Sequence, residues 1–114
     1  MSTAAALKAG SIVVVRFPFL EVKGYKWRPG LVVTGDVFHK QHGLCWVMMI
    51  TTDTQAKRHD IAIAPSEETG LLQPCFIRPS KMVATDLRTI RWMGQAPNAV
   101  TREAVAFARD ALAG

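Results

Sequence analysis

The chain is 114 residues long, 49% hydrophobic and 20% charged, with a formal net charge of +5 and a pI near 9.7. That length suits a single domain, 1–114, that can bury a core without staples, and that balance excludes a disordered chain. The positive excess points to an anionic partner, nucleic acid first and a membrane surface second. Two cysteines, Cys45 and Cys75, are too few for a disulfide framework, and each sits among apolar neighbours as reduced core residues do. No apolar run approaches the ~20 residues of a membrane span. The opening MSTAAALKAG lacks the basic start and apolar centre of a signal peptide, so a cytoplasmic protein is expected.

Strand signals dominate the chain. Ile12 to Phe17 is β-branched and apolar and stops at Pro18. Glu21 to Trp27 reads as a polar loop turning at Gly24, Leu31 to Val37 as a second strand, and His39 to Gly43 as a polar turn. Leu44 to Thr52, LCWVMMITT, is apolar on both faces and should be the central strand. Asp53 to Asp60 is a polar loop, IAIA at 61–64 a short alternating strand, and PSEETGLLQP a connector with breakers. Cys75 to Ala84 and Leu87 to Met93 give two further strands, interrupted near Thr85-Asp86.

Only the end reads as helix, over about residues 101–113. Thr101 can cap it, and Glu103 complements the dipole in the first turn. Ala104, Val105, Ala108 and Leu112 form one stripe, flanked by Phe107 and Ala111. Six short strands and one amphipathic helix predict a mainly β fold, a small, strongly bent antiparallel sheet or barrel with the helix across one opening.

The stretch KWRPGLVV, residues 26–33, carries the most chemical information. Pro29 fixes its own φ and pushes Arg28 toward an extended backbone at the entrance of the apolar run. A guanidinium held there is a good clamp for phosphate oxygens, because its planar fork bonds them in pairs and stays charged. The bland alternative is a surface ion pair between Arg28 and Glu21 or Asp53. Trp27 beside it offers a ring on which an unpaired base can stack, or one that covers the barrel mouth or a dimer partner; Trp46 reads as core. Lys23, Lys26, Arg28, Lys57, Arg58, Arg78 and Lys81 would form a basic groove if the loops after the first and third strands share a rim. His39, His42 and Cys45 in HKQHGLC have metal-ligand types, but a fourth ligand is wanting. A polar turn leading into a core cysteine is the simpler reading, with no metal and no cofactor.

Taken together, GSIVVVRFPF, KWRPGLVV, MITT, TGLLQPCFIRPSKMVATD and IRWMG resemble, in order and spacing over residues 10–94, the PemK/MazF toxins of bacterial toxin–antitoxin pairs. The resemblance implies an SH3-like barrel with a C-terminal helix, usually a homodimer. It also implies a metal-independent endoribonuclease that cuts single-stranded RNA at short sequences and is restrained by an antitoxin protein. Arg28 corresponds to the family's active-site arginine of the Arg-Pro phrase, and Thr51 to a position that often holds Ser or Thr, with Thr52 as the fallback if the strand slips by one. Arg78 corresponds to a second arginine that some members use in catalysis.

Some of those members place an acid two positions after the second arginine, where this chain has Ser80. Serine is a poor base near neutral pH, so another residue, Glu21 or His59, would supply the base, or cutting is slow or lost. The expected site is therefore Arg28, Thr51, Arg78 and Ser80, with Lys26, Trp27, Lys57 and Lys81 along the RNA. The competing readings are an SH3-like interaction module or toxin acting on a protein target, and an RNA binder without cleavage.

Overall fold

The computed structural model describes residues 7–18 and 27–114. Six antiparallel strands form one sheet in the order β4-β5-β3-β2-β1-β6. In chain order they are β1 (Ser11–Arg16), β2 (Trp27–Val32), β3 (Leu44–Thr51), β4 (Ile61–Ile63), β5 (Cys75–Asp86) and β6 (Arg91–Gln95). Helix α1 spans Asp36–His42, a 3-10 turn spans Leu87–Thr89, and α2 spans Asn98–Ala113. The sheet curls into a half-barrel, and α2 packs on β4 and β5.

β3 is central, as its two-sided apolar run predicts, and alternation along the strands divides the core into two clusters. Ile12, Leu31, Met48, Ile50 and Ile77 pack with Ala104 and Ala108 of α2. Val13, Val15, Val32, Val47 and Met49 pack on the other face with Phe17, Leu87 and Ile90. Each of these large side chains contributes roughly 1.5–3 kcal/mol when fully buried. Cys45 and Cys75 are free, buried thiols, and burial pushes Cys45 up to about 12.

Four expectations need correction. The second strand does not run from Leu31 to Val37: it begins at Trp27, which therefore lies in β2 rather than in a loop, and it ends at Val32. The polar turn at 39–43 is instead the end of α1. Gly35 precedes the helix, Asp36 lies in its first turn and pairs with Lys40 across 3.8 Å, and Gly43 closes it at φ 66°, a left-handed conformation that glycine adopts freely. Trp46 is half-buried, its ring edge-on to Phe38 of α1 at 5.6 Å between centroids. Finally, α2 starts at Asn98 behind Pro97, so Thr101 is inside the helix and its hydroxyl donates back to the Pro97 carbonyl. Val100, Ala104, Phe107 and Ala108 make the contact stripe, while Leu112 is exposed near the helix end.

The break expected at Thr85-Asp86 comes later: both residues end β5, and Leu87–Thr89, expected to open the last strand, form the 3-10 turn before β6 begins at Arg91. Asp86 caps the turn by accepting the Arg88 N–H at 2.8 Å. The connector PSEETGLLQP is organised by Thr69, which is buried and exchanges hydrogen bonds with Ser66. β6 runs so close to this loop that a Cβ on Gly94 would meet the Thr69 carbonyl.

Candidate active site

Strand register decides which predicted residues meet. Arg28 pairs with Val15 and Arg78 with Met49. Val15 and Met49 belong to the cluster on the face opposite α2. Residues paired directly across a ladder share a face, so both arginines leave the sheet on that side, and Thr51, two residues after Met49, does too. Gly30, Met49 and Arg78 form one row across β2, β3 and β5. Arg28 lies two residues along from Gly30, which places the two arginine Cα atoms roughly 12 Å apart from strand spacing and rise.

Pro29 marks where the ladder between β2 and β3 ends. The β2–β3 ladder extends from Val32 to Gly30 and stops, next to the one residue of β2 without an N–H to give. Carried one pair further than Pro29, the register sets Arg28 opposite Thr51, at the end where the two strands cease to be hydrogen-bonded. Among the described residues Arg28 makes no hydrogen bond or ion pair, and its side chain is half-buried. The expected alternative of an Arg28 pair with Asp53 does not form; Glu21 lies outside the described residues.

Arg78 is in the opposite state. Its side chain is only 10% exposed and its guanidinium is gripped by the loop between β3 and β4. Nε donates to both carboxylate oxygens of Asp60 at 3.3 Å, and Nη2 donates to Asp60 Oδ2 at 2.9 Å and to the Gln55 carbonyl at 3.4 Å. A second carboxylate, Asp53, stands 3.6 Å from Nη2. Asp60 has no exposed side-chain surface. Burial works to raise its pKa, but the Arg78 hydrogen bonds, the Lys57 N–H at 2.7 Å and the charges of Arg78 and Lys57 outweigh that and hold it below the usual carboxylate value. The Asp60 hydrogen bond in turn raises Arg78, with burial opposing. Asp60 therefore fixes the guanidinium plane through the Nε–Nη2 side and leaves the Nη1 side without a protein partner among the described residues.

Thr51 is partly exposed, and its Oγ1 accepts the Asp53 N–H at 3.2 Å, so it tethers the start of the same loop. Thr52, the fallback, is exposed and lines a cavity of ≈ 380 Å³ with Asp53, Thr54, Ala62 and Phe76. Ser80 is exposed in a bulge of β5. Met48 pairs with Met82 and Met49 with Arg78, which leaves Pro79, Ser80 and Lys81 unmatched on β3. Proline without an N–H is suited to such a break.

The side chains expected along the RNA are dispersed around this centre. Trp27 is 52% exposed and follows the alternation to the face opposite Arg28, with the Arg16 guanidinium carbon 6.0 Å from its ring. Lys57 and Lys81 are exposed; Lys26, like Lys23, lies outside the described residues. His59 has φ 71° and sets its ring 5.3 Å from Phe107 of α2. His39 is buried and bonded through Nε2 to Thr34 Oγ1 at 2.7 Å, Cys45 is in the core, and His42 packs on Phe38. Among the described residues, no group of three or more His, Cys, Asp or Glu is placed to hold a metal ion.

Sequence reasoning gave Asp60 no role and weighed Asp53 only as an alternative partner of Arg28, whereas it stands beside Arg78. The one available signal was position: Asp60 follows Lys57, Arg58 and His59 and stands directly before the IAIA strand, an acid at a strand entrance as Arg28 is a base at one.

A small curled antiparallel sheet that holds its C-terminal helix on one face and two arginines with a threonine on the other defines the class. A family profile described as PemK-like, MazF-like toxin of type II toxin-antitoxin system matches residues 8–110. The chain belongs to that PemK/MazF toxin family.

Solved structures share the fold at low identity. MazF from Deinococcus radiodurans superposes with a TM-score of 0.74 at 19% identity, over 95% of this chain and 97% of that one. A MazE-MazF complex from the same organism gives 0.70 at 18%, over 93% and 94%. An endoribonuclease in complex with its cognate antitoxin from a mycobacterial species gives 0.66 at 17%, over 95% and 94%. A search of curated protein sequences finds no significant match. Among the described residues, no helix is long and apolar enough to cross a membrane.

Proposed function

We propose that this protein is an endoribonuclease toxin that cleaves single-stranded RNA at a short sequence without a metal ion, is inhibited by a cognate antitoxin protein, and works as a cytoplasmic homodimer. The observation that carries the reading is the common face shared by Arg28, Thr51 and Arg78. Cutting RNA without metal needs a base for the 2′-hydroxyl, a proton for the leaving 5′-oxygen, and cations for the charge that builds on phosphorus. Arg28 supplies an uncommitted guanidinium. Arg78 supplies a pre-oriented one through Nη1, and the Thr51 hydroxyl retains a proton to donate to a phosphate oxygen. Lys57, Lys81 and Lys26 add backbone attraction. Acidic side chains of an antitoxin tail would occupy the same cationic positions and block RNA directly.

The test is incubation of the pure protein with mixed-sequence single-stranded RNA in EDTA, beside Arg28→Ala. Chelator-resistant cutting that the substitution abolishes supports the reading. RNA binding without cutting would instead identify a nucleic-acid binder, and capture of a protein target with no action on RNA an interaction module.

A further inference from the structure

Ser80 is a poor base, yet the proposed reaction needs one beside the arginines. We infer that Asp53 is that general base, an assignment that rests on the nuclease reading above. Among the described residues, elimination and geometry agree on it. Asp60 has both oxygens occupied by Arg78 and the Lys57 N–H, no exposed surface, and a proton affinity held down by those contacts. His59 lies against Phe107 of α2, whereas both arginines emerge on the opposite face.

Asp53 is 40% exposed and stands beside Thr51 and Arg78. Its backbone N–H bonds to Thr51 Oγ1, and its Oδ1 accepts the Gln55 N–H at 3.0 Å, which fixes the carboxylate in an Asx turn. The 3.6 Å from its Oδ2 to Arg78 Nη2 is too long for a hydrogen bond. Oδ2 is thus a held acceptor, loosely ion-paired with the arginine that would grip the phosphate and still open to a 2′-hydroxyl.

In the step assigned to it, Asp53 Oδ2 takes the 2′-hydroxyl proton as the 2′-oxygen bonds to the adjacent phosphorus. The P–O5′ bond breaks, and the 5′-oxygen takes a proton from water. The hydroxide so formed recovers the proton from Asp53. The products are a 2′,3′-cyclic phosphate and a 5′-hydroxyl, with no change of oxidation state.

Asp53→Asn keeps an Oδ1 acceptor for Gln55 and removes only the basic oxygen. Single-turnover cutting of a mixed-sequence RNA should fall about 100-fold or more. Affinity for the same RNA carrying 2′-O-methyl groups, which bind but cannot be cut, should hold or tighten, because a negative charge near the phosphate has gone. Cutting by Asp53→Asn within about threefold of the unaltered protein would overturn the assignment, as would a parallel loss of methylated-RNA binding, the mark of a merely structural carboxylate. If the unaltered protein cuts no RNA, the nuclease reading itself falls and takes this assignment with it; the two failures are distinguishable.

Discussion

Arg28 and Arg78 share a face of the sheet but not a state. Arg28 has no partner among the described residues, whereas Arg78 is held by one buried carboxylate and approached by a second. The Arg28 guanidinium has all its donors free of the described residues. The clamped one has already traded part of its bonding capacity for a fixed orientation. In the proposed reaction the two would divide the work, one free to capture a phosphate and the other already oriented to position it.

The sharpest way to break this contrast is Arg28→Ala. Cutting should fall about 10³-fold, equivalent to about 4 kcal/mol of transition-state stabilisation, with the urea midpoint unchanged. A comparable loss of stability would show that Arg28 has a structural partner after all. Next in size is Asp60→Ala, which strands Arg78 in a nearly closed setting. Breaking a buried pair from one side should cost about 3 kcal/mol in urea unfolding. A cost near zero would mean that water reaches the guanidinium freely.

Acid titration sharpens the same point. The Asp60 carboxyl is held below its ordinary 3.8, so its contribution is complete above that value and is lost as pH falls through the lower folded pKa. Asp60→Asn should flatten the decline of stability below about pH 4. His39 adds a shallower slope at higher pH. Burial lowers its pKa from 6.5, against the opposing Leu7 carbonyl and Asp36. The folded protein thus binds fewer protons than the unfolded chain, and stability falls as pH drops from 6.5 toward the folded value. His39→Gln should remove that slope.

The smallest effect belongs to a control pair. Arg88 and Asp86 are 2.8 Å apart, as close as Arg78 and Asp60, but the Arg88 side chain is 88% exposed. Arg88→Ala should leave the melting temperature unchanged, because solvent competes for every bond the pair makes.

Much of the sheet was legible because β-branched runs and breakers are local signals. LCWVMMITT read as a central strand and is one up to Thr51, and Arg28 was singled out by Pro29 together with the family resemblance. The missed elements have physical reasons as well. In α1 the helix signals, Asp36, Lys40 and the capping Gly43, lie in and just after a seven-residue helix that carries no full apolar stripe, so the segment looked like a turn. The stripe through Leu112 continued the helical period past the point where the sheet ends. The Arg78–Asp60 pair joins residues 18 positions apart through a loop whose path no local pattern encodes. Resemblance directed attention to Ser80, two positions from Arg78 in sequence, whereas the nearest acids come from a different segment.

The division of labour along the chain has a further consequence. Both arginines are seated on paired strands, where a shift of one position would turn a whole row of side chains inside out. Asp53 and Asp60 ride on the short stretch between β3 and β4, which exchanges residues at little cost to the core. Substitutions in that stretch should therefore change the ion pairs around Arg78 while leaving the register of the strands that carry both arginines as it is.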